Sequence, residues 1–231
     1  MIGALGLAWL GTAALAIEPE LTVGAKTRPA GLAVLSDLWL APGEVQVGLG
    51  PDVYFYWYEA DLRARATVLG GFLVLNGWAG WEPGWFVPAD QRDGPRQFMS
   101  RPLGRARLEV NLRNDLFWLY LRNTGWSRHR SFDEYDPFRD QLFARGWELS
   151  GEHSTALMVS PSGSSERKVW FYGEITLEAS VRNGWLDRLP RGGIIVEKLT
   201  PTISIDLDLY YSLMDNALGG PGVLAVMWWT P

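Results

Sequence analysis

Two residues in the segment "GWSRHRSFDEYDPFRD" have the side-chain types that nucleophilic catalysis needs. His129 and Ser131 stand two positions apart, so in an extended segment their side chains project to the same side. An imidazole in that position could take the proton of the serine hydroxyl. The acidic residues that could orient the imidazole are Asp133, Glu134, Asp136 and Asp140. The segment is therefore a candidate site for hydrolysis by an activated serine.

The His-x-Ser pair is similar to the pair used by outer-membrane lipid A deacylases. The resemblance implies ester hydrolysis on lipopolysaccharide, with His129 as the base and Ser131 as the nucleophile. It covers two residues, and no acidic residue stands at the spacing of the family's third catalytic member. The competing interpretation is a hydrophilic loop whose arginines pair with nearby acids or with lipopolysaccharide phosphates. Those arginines are Arg128, Arg130 and Arg139. We expect no catalytic pair here and favour a protein without enzymatic activity.

The elements that would position any site alternate with a period of two residues. In "KVWFYGEITLEASVR", residues 168–182, one parity is apolar, with Phe171 and Ile175, and the other carries Lys168, Glu174 and Glu178. Only a β-strand separates such residues into two clean faces. The same pattern recurs along the chain and predicts about ten strands, within a range of eight to twelve. They lie near residues 31–41, 44–69, 72–80, 104–113, 116–126, 145–160, 168–184, 193–199, 202–213 and 221–229.

Turn signals separate these strands. They include Pro42-Gly43, Gly70-Gly71, Asn114-Asp115 and the segments "PSGSSER" at 161–167, "RLPRGG" at 188–193 and "GGPG" at 219–222. A break at Gly50-Pro51 could divide the long strand 44–69. Two connections are longer, at 81–103 and 127–144, and we interpret both as loops placed outside the cell, opposite the short turns.

Composition excludes several classes of function. The chain of 231 residues has no Cys and only two His, so thiolate chemistry, disulfides and a histidine-rich metal site are not expected. A net charge of −5 argues against a nucleic-acid partner. Phosphate-binding and dinucleotide-binding loops are absent from the sequence, and we predict no cofactor and no metal. The 13 Trp residues are an unusually large aromatic load.

The first residues resemble an export leader. "MIGALGLAWLGTAALAIEPE" is apolar and closes with Ala14-Leu15-Ala16, the small-x-small form of a signal-peptidase site. We therefore predict a signal peptide at residues 1–16, a lead-in segment at 17–30 and a single β-domain at 31–231. A retained hydrophobic segment is the alternative.

Strand length and aromatic placement favour a membrane environment over a soluble barrel. Several predicted strands exceed the about 9–11 residues that cross a bilayer at a tilt, and their apolar faces carry few charges. Aromatic residues cluster near strand ends, as in interfacial girdles. They are Trp78, Trp81, Trp85, Trp126, Trp147, Trp185, Trp228 and Trp229. A secreted soluble β-barrel that binds a small ligand is the alternative.

With its leader, lack of Cys and aromatic strand ends, the chain resembles bacterial outer-membrane β-barrel proteins in architecture. The resemblance implies an all-β, closed, antiparallel up-and-down barrel in the Gram-negative outer membrane. It also implies contact with outer-membrane lipids and lipopolysaccharide, and insertion by the β-barrel assembly machinery. It predicts no particular oligomeric state.

The polar parity of such a barrel would form a charged lumen. The predicted lumen-lining residues are Arg63, Arg65, Arg105, Arg107, Glu109, Arg113, Lys168, Glu174, Glu178, Arg182, Asp206 and Asp208. Mixed charges in a narrow interior should pair with one another, since an unpaired buried charge is costly. The lumen is then either packed by its own side chains, which makes the protein structural, or a narrow porin-like pore for small solutes whose arginines favour anions.

Overall fold

The structure is a computed structural model that describes residues 17–27, 30–40, 45–54, 58–92, 94–136, 141–161, 167–213 and 219–230. Long antiparallel strands account for most of these residues. They are β1 (Ile17–Thr27), β2 (Ala30–Leu40), β3 (Val45–Tyr54), β4 (Tyr58–Val68), β5 (Leu73–Pro88), β6 (Gln97–Arg113), β7 (Phe117–Arg130), β10 (Gly146–Val159), β11 (Lys168–Ser180), β12 (Gly184–Thr200), β13 (Ile203–Ser212) and β14 (Gly220–Trp229). Two short strands, β8 (Glu134–Asp136) and β9 (Gln141–Phe143), lie between β7 and β10.

In the part of the chain that the structure describes, the twelve long strands close into a barrel. Neighbours in sequence pair with one another, apart from the step from β7 to β10 across the short strands. The ring closes where β1 meets β14, with Leu21 opposite Trp229. This is the all-β, antiparallel up-and-down barrel that the sequence predicts, because each short connection can only reverse the chain into the adjacent position.

Alternation along β11 decides which face points outward. Trp170, Tyr172 and Glu174 are buried, whereas 45% of Phe171 and 44% of Ile175 are exposed. The prediction that the apolar parity of this strand faces outward is confirmed. Exposed apolar side chains occur on other strands as well: Leu49, Leu62, Leu75, Leu108, Leu121, Leu157, Ile194, Leu207 and Met227. Together they form an apolar belt of the kind that contacts the hydrocarbon of a bilayer.

The barrel contains two more strands than the ten expected, at the upper end of the predicted range. One is β1, which lies in the segment interpreted above as a lead-in; Leu21 and Val23 alternate there with Glu20 and Thr22. The other arises because residues 44–69 form two strands, β3 and β4. The chain reverses between Tyr54 and Tyr58, and not at Gly50-Pro51, which lies inside β3.

The connection predicted as a loop at 81–103 is mostly strand. β5 and β6 remain paired as far as Phe86 and Gln97. The β4 ladder on β5 ends at Trp81, and β7 pairs with β6 only from Leu103 onward. Residues 82–88 and 97–102 therefore rise beyond the neighbouring strands as a hairpin, which we call the projecting hairpin.

Two prolines explain why this hairpin was mistaken for a loop. Pro83 and Pro102 lack the N–H that a central strand needs on one of its sides. Here each proline has one ladder partner: Pro83 pairs with Ser100, and Pro102 pairs with Trp81. Proline is tolerated in such half-paired strands, so it does not end them.

The second predicted loop, 127–144, is also partly ordered into strands. β7 continues to Arg130, and β8 and β9 form a small hairpin, which we call the cap hairpin. β8 pairs with β5 of the projecting hairpin through Val87↔Tyr135 and Pro88↔Glu134. The predicted residues Arg139 and Asp140 lie outside the described residues.

The two ends of the barrel differ. The connections at 89–96 and 131–145 lie at one end, which we call the loop end. The connections at 114–116 and 160–167 lie at the other end, called the turn end, together with Ile17 and Trp229. The two connections predicted as loops thus share one end, opposite Asn114-Asp115, as the sequence predicts, but short connections are not confined to the turn end, since 181–183 lies at the loop end.

Helical structure is minor among the residues that the structure describes. A single turn of 3-10 helix, Leu69–Gly71, joins β4 to β5, and Gly70 and Gly71 adopt the positive φ angles that favour glycine. No helix in the described ranges is long and apolar enough to cross a membrane.

The predicted aromatic residues divide between the two faces. Trp81 and Trp147 are 61% and 57% exposed on the outer face near the loop end, as an interfacial girdle requires. Trp78 and Trp126 have the opposite parity and belong to the interior, so their assignment to the girdle was wrong. The side chain of Trp185 is not among those described.

Candidate functional site

The strand-borne residues predicted for the lumen have the parity of the barrel interior. They are Arg63 and Arg65 on β4; Arg105, Arg107, Glu109 and Arg113 on β6; Lys168, Glu174 and Glu178 on β11; and Asp206 and Asp208 on β13. Arg182 does not share this position. It is exposed in the turn after β11 ends at Ser180, and its Nη1 donates to the carbonyl of Arg145 at 3.4 Å. The predicted strand 168–184 is therefore shorter than expected.

One side of the interior is packed by apolar side chains. Trp170 is completely buried and lies in a cluster with Tyr120, Ala156, Met158 and Tyr172. Trp118 packs edge-on against Trp170, with 6.1 Å between ring centroids. We call this side, which β10–β13 contribute together with Tyr120, the packed half. Large inward rings fill the space that water would otherwise occupy.

Ion pairs of the packed half converge on Arg191. Its Nη2 donates to Glu174 Oε2 at 2.8 Å, and its Nη1 donates to Asp208 Oδ2 at 3.3 Å. The hydroxyl of Tyr120 also donates to Glu174, and Arg122 lies 3.7 Å from the other carboxylate oxygen. Glu174 and Asp208 are buried, so Arg191 balances carboxylate charges that water does not reach.

A tyrosine joins two carboxylates in the same network. The hydroxyl of Tyr172 lies 2.7 Å from Asp208 Oδ2 and 3.2 Å from both oxygens of Asp206. Asp206 and Asp208 therefore share one donor as adjacent inward residues of β13. Within the described residues, no group of three or more His, Asp or Glu side chains is arranged to hold a metal ion.

Sequence reasoning missed Arg191 because "RLPRGG" was interpreted as a turn. β12 runs through this segment without interruption from Gly184 to Thr200. Gly193 has a packing reason: a Cβ there would lie 2.3 Å from the carbonyl oxygen of Leu207 and 2.6 Å from the Cβ of Asp208. The glycine permits close approach of the two strands beside Asp208. In the sequence alone, a glycine indicates either a turn or such a close approach within a strand.

The side of the interior that β4–β7 form, which adjoins the packed half at β7, is lined by arginines that keep contact with water. Arg65, Arg105, Arg107 and Arg122 all have inward parity on β4, β6 and β7, yet they are only half-buried. We call these four residues the arginine wall. The guanidinium groups of Arg105 and Arg107 lie 5.7 and 5.1 Å from the ring centroid of Trp78, within cation–π range.

Two members of the arginine wall differ in their polar contacts. Arg107 Nε donates to Thr124 Oγ1 at 3.3 Å, and the structure shows no ion pair for Arg107 among the described residues. Arg65 lies 3.2 Å from Glu20 Oε2 and stacks over Trp39, with 4.1 Å to the ring centroid. Because no carboxylate neutralises the guanidinium of Arg107, its positive charge can act on ions in the adjacent part of the interior.

The buried and the half-buried inward side chains differ in the sign of their charge. The buried inward acids are Asp52, Asp61, Glu82, Glu134, Glu148, Glu174, Asp187, Asp206 and Asp208, and among described residues the buried cations are Arg63, Arg101 and Arg130. The half-buried inward cations are Arg65, Arg105, Arg107, Arg122, Arg128, Lys168 and Arg191, against Glu20, Glu109, Glu152, Glu178 and Glu197. Acids thus predominate in the dry interior, and cations predominate where water enters.

A second ion network lies at the loop end. It consists of Glu82, Arg101, Arg128, Arg130, Glu134 and Glu148, and we call it the loop-end network. Arg101 bridges Glu82 at 2.6 Å and Glu134 at 2.7 Å. Arg130 bridges Glu134 at 2.8 Å and also pairs with Glu148. Glu134 belongs to β8, so these pairs hold the cap hairpin to the barrel.

A cavity of about 180 Å³ lies against this network. Its walls include Trp126, Phe143 and the arginines of the network. The guanidinium groups of Arg101 and Arg130 stack over Phe86 and Phe143, at 3.8 and 4.4 Å from the ring centroids. These aromatic contacts order the charged lining, since a stacked guanidinium has little rotational freedom.

The residues proposed for nucleophilic catalysis do not form a triad. His129 lies within β7 with outward parity, and its ring packs edge-on against Trp147 at 5.3 Å. Ser131 follows the strand, is exposed, and its backbone N–H contacts Met99 Sδ at 3.4 Å. Among the described residues no carboxylate hydrogen-bonds to His129. Glu134, a predicted acidic partner, instead pairs with Arg101 and Arg130.

The closed barrel, apolar belt and polar interior together give the chain the fold of bacterial outer-membrane β-barrels. No family model matches the chain, and no curated protein matches it. Among solved structures it is similar to the NanC porin, at 8% identity and a TM-score of 0.52, over 93% of this chain and 99% of the porin. It is also similar to the beta domain of the Bordetella autotransporter BrkA, at 11% identity and a TM-score of 0.50, over 94% of this chain and 99% of that domain.

Proposed function

We propose that the chain forms a narrow pore for small anionic solutes in the bacterial outer membrane, with the pathway along the arginine wall. One observation carries the proposal. Arg65, Arg105, Arg107 and Arg122 point into a closed barrel, yet they remain in contact with water. In a fully packed lumen they would be as buried as the cations Arg63, Arg101 and Arg130.

Barrel size supports a pathway that is open on one side. Eight strands leave room for side chains alone, whereas sixteen to eighteen enclose a wide aqueous channel. The twelve strands counted in the described ranges lie between these cases. Because Trp170 and its neighbours fill the packed half, the remaining space is narrow and displaced toward β4–β7.

Charge placement supports a preference for anions. The acids are mostly buried and paired, so their charge is compensated before it reaches the pathway. Arg107 has no ion pair among the described residues, and Arg105 lies beside it on β6. Rings of Arg or Lys in a pore favour anion entry.

The belt of exposed apolar residues supports a membrane location. We place the loop end outside the cell, the turn end in the periplasm and a signal peptide at residues 1–16. Lipopolysaccharide would then contact the loop end, and the β-barrel assembly machinery would insert the chain. One similar structure is named a porin and the other an autotransporter domain, so the fold alone does not select between functions.

Conductance measurements test the pore directly. Purified protein in planar lipid bilayers should show single-channel steps, and a salt gradient should give a reversal potential that indicates anion preference. Replacing Arg105 and Arg107 together by Gln should reduce the anion-to-cation permeability ratio by several-fold. Arg182→Gln, which removes an exposed charge in a turn, is the matched control and should leave the ratio unchanged.

Two outcomes would reject the pore. Silence in bilayers, from protein shown to be folded and inserted, would favour a packed structural barrel. An unchanged permeability ratio in the Arg105→Gln, Arg107→Gln double variant would show that the arginine wall does not line the pathway.

A further inference from the structure

Three polar side chains lie together on the outer face of the barrel. Asn123 on β7 is directly opposite His153 on β10, and His153 Nδ1 is 2.9 Å from Asn123 Oδ1. His153 Nε2 is 2.9 Å from Thr155 Oγ1. All three residues have the outward parity of their strands. We call them the outer polar triplet.

The triplet sits in the middle of the apolar belt. On β10 the outward residues on the turn-end side are Leu157 and Val159, and those on the loop-end side are Leu149 and Trp147, all exposed. His153 lies halfway between them. The position corresponds to the centre of the hydrocarbon, where an ionisable side chain is costly and marks a functional surface by default.

Internal hydrogen bonds leave part of the triplet unsatisfied. With the proton on Nδ1, His153 donates to Asn123 Oδ1 and accepts from the Thr155 hydroxyl. The amide nitrogen of Asn123 then keeps two donors, for which the described part of the chain provides no partner. The Thr155 oxygen keeps acceptor capacity. Hydrocarbon offers no water to either group.

We infer that the outer polar triplet is the contact surface for a second copy of this chain. The spare amide donor and the spare hydroxyl acceptor occur on the same patch, so two copies related by a two-fold axis along the membrane normal can each supply what the other lacks. Polar side chains join membrane segments in this way. The hydrogen bonds of His153 to Asn123 and Thr155 satisfy part of the triplet, but the amide donors of Asn123 still need an acceptor.

The backbone around the triplet permits close approach of another barrel. Gly125 and Gly151, directly opposite each other, flank Asn123 and His153 on the outer face. A Cβ at Gly125 would have no heavy atom within 4 Å, so the surface is open at this point. Small residues at membrane interfaces let backbones come together, which would shorten the distance between the two triplets.

Disulfide trapping tests this contact, and the Cys-free chain makes it selective. Gly125→Cys should cross-link with itself when the purified full-length protein is oxidised in lipid bilayers. Leu49→Cys, on the exposed face of β3 and four strands away from β7 around the ring, is the matched control and should not. Equal cross-linking at the two positions would overturn the inference.

Apolar replacement tests whether the polar groups drive the contact. Asn123→Leu with His153→Leu suits a lipid-facing surface, so the barrel should still fold, while the cross-linked fraction of Gly125→Cys should fall by roughly tenfold. An unchanged fraction would exclude the triplet. Cross-linking only to another protein in native membranes, and never to a second copy, would also overturn the inference.

The inference rests on the proposed membrane location but not on conduction. Flotation of the protein with lipid vesicles reports insertion independently. A barrel that floats and conducts but does not cross-link contradicts the dimer alone. One that does not float contradicts the membrane location, and one that cross-links without conducting contradicts only the pore.

Discussion

The packed half and the arginine wall differ although both arise from the same polar parity of long strands. In the packed half, Trp170 and Tyr172 occupy inward positions, and the acids that pair with Arg191 are buried. In the arginine wall, Arg107 Nε donates to Thr124 Oγ1, and its guanidinium lies 5.1 Å from the ring centroid of Trp78. The two regions differ in what stands beside their charges: large rings bury the acids of the packed half, whereas the polar partner of Arg107 in the arginine wall is a threonine.

The largest effect should follow from removing the central cation of the packed half. Arg191→Met removes the cation that the buried Glu174 and Asp208 share, so the free energy of unfolding should fall by about 3–5 kcal/mol. The matched change on the other side, Arg107→Met, should cost less than about 1 kcal/mol, since it leaves no buried carboxylate without its cation. Urea unfolding from lipid vesicles, followed by Trp fluorescence, measures both. Equal losses would remove the distinction between the two sides.

The second effect concerns the aromatic filling. Trp170→Ala should lower the free energy of unfolding by about 3 kcal/mol, because a completely buried ring is lost. It should also raise single-channel conductance by opening space in the packed half. Trp78→Ala, at a half-buried position beside the arginine wall, should cost about 1–2 kcal/mol. A similar cost at both positions would show that the two sides are packed alike.

A smaller effect is expected at the loop-end network. Glu134→Gln removes the carboxylate shared by Arg101 and Arg130, so the cap hairpin should open more often. Loss of charged hydrogen bonds worth about 1.5–3 kcal/mol should speed trypsin cleavage after the exposed Arg145 by about tenfold or more. Glu109→Gln changes a half-buried inward carboxylate of β6 that is not part of the loop-end network, so it should leave the cleavage rate unchanged. Faster cleavage in that control would indicate general loosening of the barrel.

The smallest effect is expected from the former catalytic candidates. Ser131→Ala should change the free energy of unfolding by less than about 0.5 kcal/mol, because the side chain is exposed. Lipid A from cells that express the wild type or Ser131→Ala should have the same acyl chains by mass spectrometry. An acyl chain missing only with the wild type would restore the deacylase interpretation.

Strand positions were predictable because a two-residue period is a local property of the chain. Phe171 and Glu174 take opposite faces in the structure as in the sequence pattern. Strand ends were harder to predict, because proline and glycine occur both in turns and within strands. In the projecting hairpin and in "RLPRGG" these residues lie within strands, where half-pairing or close packing requires them.

The site was less predictable than the fold, because its partners meet across the barrel. Arg101 pairs with Glu134 and Tyr120 with Glu174, residues separated by 33 and 54 positions. Which inward residues meet depends on the register between all intervening strands, and no local pattern contains that information. The charged residues could be identified from the sequence, but their partners and their contact with water could not.

The projecting hairpin has a consequence for the behaviour of the protein outside the lipid. Its strands extend past their neighbours and would present free edges, which can recruit other chains into disordered aggregates. Pro83 and Pro102 remove backbone donors from these edges, and the cap hairpin covers β5 at Val87 and Pro88. The same residues that obscured the strands in the sequence therefore protect the exposed hairpin from edge-to-edge aggregation.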